Sequence, residues 1–215
     1  MRDCYFCVVG ARYDQILLRF GPDAVDTIEH SVVYRAPKGT VIEFRGKSTI
    51  GFRTYLCFRD IEGVDKDISG KKRPATETMF DWADKKGFIR VVEGPEFETL
   101  DNKDILTNTY WKITNEFSQM GFRLSTQYDY PRSSIQNMIS EAVADGTIQL
   151  TPKGPIVLLR YRQTVGGYPR IYNVISADID LLGQYAPNQI IKFKLISLEE
   201  AKEIAIKKQR ALALI

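Results

Sequence analysis

Along this chain, short stretches rich in Val, Ile, Tyr and Phe, alternating or running together for about four to eight residues, are separated by Gly, Pro and Asp. That is the texture of strands and tight turns. It predicts strands at Tyr5–Val9, Ser31–Tyr34, Val41–Phe44, Phe52–Phe58, Phe88–Glu93, Tyr110–Ile113, Ile148–Leu150, Val157–Leu159, Tyr172–Ser176 and Ile190–Leu195. So many short strands with tight connections favour a barrel or sandwich over a parallel α/β sheet. Helices are few. The C-terminal stretch LEEAKEIAIKKQRAL follows Ser197 and Glu200, an S-x-x-E capping box, and carries its acids early and Lys207, Lys208 and Arg210 late, as the helix dipole favours. Shorter helical turns are expected at Asp14–Arg19, Asn102–Leu106, Ser133–Met138 and Asp178–Leu182.

The pattern breaks once, between Asp60 and Gly87, where DKDISGKKRPATETMFDWADKKG is polar and interrupted by Gly70 and Pro74. It reads as a connector with one short helix near Phe80–Lys86. The expected domains are therefore 1–87 and 88–215. The 215 residues suit one large domain or two small ones at roughly 150 residues each, and 44% hydrophobic with 27% charged residues is ordinary globular composition. Thirty Lys plus Arg against 27 Asp plus Glu leave a net +3, too little for a surface-wide nucleic-acid or membrane binder. The basic run Lys71-Lys72-Arg73 reads as a solvated segment. No apolar run reaches the roughly 20 residues that span a bilayer, and the first ten residues lack a secretory leader's pattern. A cytoplasmic protein is the expectation.

Three cysteines, Cys4, Cys7 and Cys57, are too few and too odd for a disulfide framework. Cys4 and Cys7 have CxxC spacing but sit in the apolar run CYFCVVG, where positions three apart in a strand point to opposite faces. Packing thiols are expected, and no bound metal, because no second Cys/His pair completes a site. The single histidine, His30, is expected in a solvated loop or at a strand edge.

The densest chemistry is Arg160–Pro169, RYRQTVGGYP, directly after the apolar IVLL. Gly166 and Gly167 permit positive φ and close backbone approach, and Pro169 biases Tyr168 to extended backbone. Arg162, Gln163, Thr164 and Tyr168 would then present a guanidinium, an amide and hydroxyls at one rim. Such a set suits a small planar amide bearing a carboxylate. A hairpin bend alone would also account for the glycines. Arg123 in MGFRL is a second candidate anion contact, and Gln149, after the Asp145-Gly146 turn, a further amide contact. Glu93-Gly94-Pro95-Glu96 offers two carboxylates but reads first as a turn. Neither GxxxxGK[ST] nor a strand-borne GxGxxG is present, so ATP or a dinucleotide is not expected to bind through those devices.

In order, VVEGPE, QMGFRL, ISEAVADGTIQL, PIVLL with RQTVGGYPRI, VISADI and SLEEA resemble the KipA family, which includes allophanate hydrolase subunit 2, the C component of 5-oxoprolinase and the C and D subdomains of the urea carboxylase carboxyltransferase domain. The resemblance is close over Phe88–Ile215. It is weaker upstream, in CYFCVVGA, APKGTVIEFRG and GFRTYLCF. It implies a mainly β, cyclophilin-like barrel fold in two pseudo-repeated halves, with the N-terminal half reduced. It implies a complex with a KipI-like B component, joined in the oxoprolinase by a LamB/YcsF-like A component, acting on a small amide. ATP, or a biotin carrier, would be used by the complex and no cofactor bound by this chain. By motif, Arg123, Gln149, Arg162, Gln163, Thr164, Gly166, Gly167 and Tyr168 become the expected substrate contacts. Two departures bear on catalysis: Tyr161 stands where the family commonly has a polar residue, and Phe122 replaces a tyrosine. The family's Ser-Arg-Ser-Thr-Tyr segment and its opening segment have no counterpart here, so a shortened member is expected. The implied role is a subunit of an ATP-dependent 5-oxoprolinase or related carboxyltransferase. A noncatalytic protein engaging a KipI-type partner, or an independent cyclophilin-like module, are the alternatives.

Overall fold

The computed structural model describes residues 3–21, 24–61, 69–70, 87–130, 133–134 and 138–213. The chain divides into two compact units, Met1–Phe80 with Ala211–Ile215, and Asp81–Arg210.

The first unit is an antiparallel sheet of β1 (Cys4–Arg19), β2 (Val25–Thr27), β3 (Val33–Ala36) and β4 (Val41–Asp60). β1 is its spine. β4 runs beside it from Cys4 opposite Asp60 to Arg19 opposite Val41, with bulges between Gly10 and Gln15, while β3 and β2 pair with its other edge. Phe6, Val8, Ile16 and Leu18 of β1 bury one face against Ile28 and Ala36, with Tyr13 tilted on Phe44 at 5.1 Å. The helical turn expected at Asp14–Arg19 is therefore strand. Pairing with β4 buries Ile16 and Leu18 on one face, and tertiary burial overrides a weak local preference. The two strands expected at Val41–Phe44 and Phe52–Phe58 are parts of the one long β4.

Cys4 and Cys7 do face opposite ways, Cys4 with the Phe6 cluster and Cys7 with Tyr5 and Val33. The packing expectation fails for Cys57, which is exposed. His30 lies in the turn before β3, at the edge of β1, half-buried rather than solvated. Its Nε2 accepts from the Tyr13 N–H at 3.4 Å, and its Nδ1 is buried without a partner, as is the neighbouring Ser31 Oγ.

The second unit contains β5 (Ile89–Glu93), a 3₁₀ turn (Phe97–Thr99), α1 (Ile105–Asn108), β6 (Tyr110–Phe117), β7 (Gly121–Ser125), β8 (Glu141–Ala142), β9 (Thr147–Thr151), β10 (Gly154–Leu158), β11 (Val165–Gly166), β12 (Arg170–Val174), α2 (Ile179–Leu182), β13 (Ile190–Leu195) and, up to Arg210, α3 (Leu198–Ala213). Seven strands close a barrel in the order β10-β7-β6-β13-β5-β12-β9, and β8 and β11 form a separate two-stranded ribbon. All the barrel pairs are antiparallel except β5 with β13. Alternate residues of each strand fill the interior, among them Val91, Trp111, Ile113, Phe122, Leu124, Ile148, Val157, Val174 and Phe193. Each such side chain contributes roughly 1.5–3 kcal/mol on burial. Trp111 also satisfies its indole N–H on the Leu106 carbonyl at 2.8 Å.

Two polar devices fix the elements around the barrel. Arg90 of β5 meets Asp178, just before α2, through Nε at 2.9 Å and Nη2 at 2.5 Å, and the Arg90 backbone N–H adds a third bond at 2.9 Å. The capping box forms as the spacing predicts, with Ser197 N–H donating to Glu200 at 2.9 Å and Glu200 N–H to Ser197 Oγ at 3.1 Å. The turns expected at Asn102–Leu106 and Asp178–Leu182 appear as α1 and α2, the first shifted toward Asn108. Of the turn expected at Ser133–Met138, residues 135–137 lie outside the described residues, as does the connector helix at Phe80–Lys86.

Candidate functional site

β9 carries the feature on which the site is built. Ile148 and Leu150 point into the barrel, yet the alternate residues Thr147, Gln149 and Thr151 are buried as well. After β10 the chain turns at Leu159–Arg162, with the Arg162 N–H on the Leu159 carbonyl at 3.1 Å, and then forms β11 against β8. The chain beyond β10 is thus brought over the outer face of β9. Gly166 packs directly on the Gln149 amide, where a Cβ would stand 2.5 Å from Nε2. Gln149 Nε2 donates to the Tyr168 carbonyl at 3.2 Å.

These contacts correct the expected use of the glycines. Neither Gly166 nor Gly167 has positive φ. Gly166 is needed for close approach to a buried amide, and a hairpin bend does not account for that. Gln149, Gly166 and Tyr168 are brought together here, with Gly167 beside Met138 and Ser140.

Arg162 and Thr164 lie at the other end of the ribbon. Arg162 donates from Nε to the Val143 carbonyl at 3.1 Å and pairs with Asp145 at 2.9 Å, and the Thr164 carbonyl accepts from the Val143 N–H. That pair extends through Arg160 to Asp180 and Lys208. Burial pushes the Asp180 carboxyl up, but the hydrogen bonds from Lys208 and Arg160 outweigh it and hold it below the usual range. Gln163 is exposed.

Arg123 is in register with Ile156, Ile156 with Gln149 and Gln149 with Arg170. At about 4.8 Å per strand step, Arg123 stands roughly 14 Å from Arg170. Its guanidinium is taken by Glu116 at 2.8 Å, Thr151 at 2.7 Å and the Gly154 carbonyl at 3.4 Å. It does not join the Gln149 seat.

The residue that organises the seat is Arg170, which sequence reasoning passed over. Its Nε and Nη2 grip Glu96 at 2.9 and 2.7 Å, its backbone N–H adds a bond to the same carboxylate at 2.8 Å, Nη2 also reaches Glu141 at 2.6 Å, and Nη1 reaches the Ala142 carbonyl at 3.0 Å. Arg170's hydrogen bonds hold the Glu96 carboxyl below its ordinary range against the opposing effect of burial. Glu96 comes within reach because β5 ends in a tight turn over β12. A side chain at Gly94 would overlap the Arg170 carbonyl. The signal in the sequence was the Gly94-Pro95-Glu96 turn, in which Glu96 is a buried acid and so demands a cation.

Tyr172, two residues on, is no candidate acid at this face. Burial pushes its hydroxyl well above the ordinary tyrosine value, and it donates to the Lys103 carbonyl at 2.7 Å. A shallow polar hollow of about 290 Å³ beside α1, lined by Asn102, Asp104, Ile105, Asn108, Thr109 and Tyr128, shares no residue with the seat. Among the described residues no cluster of three or more His, Cys, Asp or Glu could hold a metal ion, and no helix is long and apolar enough to cross a membrane.

A closed, mainly β barrel with this topology is the carboxyltransferase-domain fold. The Kluyveromyces lactis urea carboxylase structure matches 98% of this chain and 23% of its own at a TM-score of 0.78 and 17% identity. The TTHA0988 crystal structure matches 90% of this chain and 42% of its own at 0.68 and 21% identity. At such identities the likeness concerns the fold. The family model for the carboxyltransferase domain, subdomain A and B, matches residues 61–195, and the chain belongs to that family. The family's description letters these subdomains A and B, where the sequence led us to expect C and D. Among curated proteins, the C component of the Haemophilus influenzae 5-oxoprolinase is 26% identical over 97% of this chain and 74% of its own length. That of Escherichia coli is 36% identical over 57% of this chain and 40% of its own. The matched stretches thus cover less than half the length of the Escherichia coli relative and of TTHA0988.

Proposed function

We propose that this chain is a subunit of an ATP-dependent 5-oxoprolinase, or of a closely related amide-directed carboxyltransferase or amidohydrolase complex, and that it works in the cytoplasm with a KipI-like partner. In the oxoprolinase form a LamB/YcsF-like protein completes the assembly. The observation that carries the reading is the likeness of 97% of the chain to the C component of a 5-oxoprolinase. The seat supports it with a buried side-chain amide, Gln149, beside a clamped guanidinium, Arg170. An amide donates and accepts at once and suits another amide, while a guanidinium suits a carboxylate.

On this reading ATP, or a biotin carrier in a carboxyltransferase complex, is handled by the complex. The chain's own residues bind and orient the small amide. The reading is tested by purifying the chain with the KipI-like and LamB/YcsF-like proteins of the same cell and measuring ATP hydrolysis that depends on 5-oxoproline. Activity is expected from the complex and from none of its members alone. An intact complex without it overturns the reading.

One observation favours a second reading, a noncatalytic protein that engages a KipI-type partner. Arg123 and Arg162, the arginines expected to meet substrate, are already paired within the chain to Glu116 and Asp145. Partner binding that survives Arg162→Ala and Gln163→Ala, in a complex without turnover, would select it.

A further inference from the structure

We infer that Arg170 is a carboxylate-exchange site, at which a small carboxylate from solution replaces Glu141 on the guanidinium while Glu96 stays in place. The inference rests on the reading that this face takes a small amide bearing a carboxylate, and adds where that carboxylate is held.

The two acids on Arg170 are not equivalent. Glu96 is 10% exposed and engages the guanidinium with both oxygens, and one of those also accepts the Arg170 backbone N–H. It belongs to the framework. Glu141 is 55% exposed, offers one oxygen and is borne on the two-residue strand β8. An exposed single-oxygen pair is weakly held. The outer donors of the guanidinium hold one acid at a time, so an incoming carboxylate takes the place of Glu141, whose own side chain turns out to solvent. It could engage Nη1 and Nη2 together, the two-pronged geometry that Glu141 does not make.

The neighbour of this edge supplies the second half of the ligand. Gln149 is in register with Arg170, and directly paired residues hold their Cβ atoms about 4.5–5.5 Å apart. Gln149 Nε2 is committed to the Tyr168 carbonyl. Its Oε1 accepts no hydrogen bond among the described residues, in a side chain that is 2% exposed beneath Gly166. That oxygen can accept an amide N–H. A ring amide with its carboxylate on the carbon next to nitrogen presents both groups on adjacent atoms, a spacing these two side chains can span.

The test uses the full chain and three probes: 5-oxoproline, 2-pyrrolidinone, which keeps the lactam alone, and cyclopentanecarboxylate, which keeps the carboxylate alone. Affinities are measured by calorimetry or ligand-observed NMR for wild type, Glu141→Gln, Glu141→Ala and Arg170→Lys. Removing the internal competitor is expected to tighten both carboxylates about three- to fivefold and to leave 2-pyrrolidinone unchanged. Arg170→Lys is expected to weaken both about tenfold. Glu141 is exposed, so its two variants should unfold at the wild-type midpoint, which is checked alongside. Carboxylate affinity indifferent to Glu141, or no binding by either carboxylate, overturns the exchange site. If 2-pyrrolidinone still binds in that case, the amide reading stands without it. Conversely, if cyclopentanecarboxylate responds to Glu141 and 5-oxoproline binds no better than it, the exchange site stands and the amide reading falls.

Discussion

Arg90 and Asp178 show how one residue pair can dominate local energetics. Their side chains are 8% and 0% exposed, and they are joined by two side-chain bonds and one backbone bond. Removing one partner of such a pair strands a buried charge, which typically costs about 3–5 kcal/mol. Asp178→Ala is therefore expected to lose about that much in urea unfolding, whereas the double variant Arg90→Met/Asp178→Leu should recover the part due to the stranded charge but not that of the Arg90 backbone N–H, which loses its acceptor. Neither member was legible as a partner from sequence, because they lie 88 positions apart and nothing in VISADI or FIRVVE marks a charge as buried. Arg170 escaped notice for a related reason. Reading the run RYRQTVGGYPRI, one meets three arginines of equal chemistry, and only the bulged pairing of β12 with β9 and the turn after β5 decide which of them is clamped.

Among the elements, those with clean patterns were readable. β13 appears with its expected bounds, and β5, β9 and β12 within a few residues of theirs. β8 and β11 were not read at all, since two residues carry no period, and they are the strands that cover the seat. The seam between β11 and β9 makes this testable. Gly166→Ala pushes a methyl into the Gln149 amide, and overpacking of this kind costs about 1–3 kcal/mol. In a double-mutant cycle Gly166→Ala/Gln149→Ala should cost less than the sum of the single changes, because the clash is with that side chain. Additive costs would show that the ribbon simply shifts away.

The two units of the whole molecule differ in what acid does to them. In the first, neutral His30 accepts a hydrogen bond from Tyr13, and burial, with the Arg12 charge, holds its pKa below the usual histidine value. The unfolded chain then takes the proton first, so this unit loses stability as pH falls through about 6.5. In the second, Glu96 and Asp180 are held below the carboxylate range by their cationic partners. Their contribution is full above about pH 4 and is lost only below it. Trp111 is buried inside the second unit's barrel. On acid titration, amide exchange in β1 and β4 should rise near pH 6, and Trp111 fluorescence, read in a Trp82→Phe variant, should change near pH 4. Coincident transitions would show that the units unfold as one.

The pairing of β5 also sets an order in time. Its two neighbours, β12 and β13, are the last two barrel strands to be made. At about 5–20 residues per second, the roughly one hundred residues between Ile89 and Leu195 occupy the ribosome for roughly 5–20 s. During that interval β6 can meet β7, and β9 can meet β10, but β5 has no strand on either side until β12 is made and none on its second side until β13. Closure must wait for the end of the domain, and the newborn chain carries β5 with an unpaired edge until then. A ribosome-bound chaperone has its longest opportunity at this one strand.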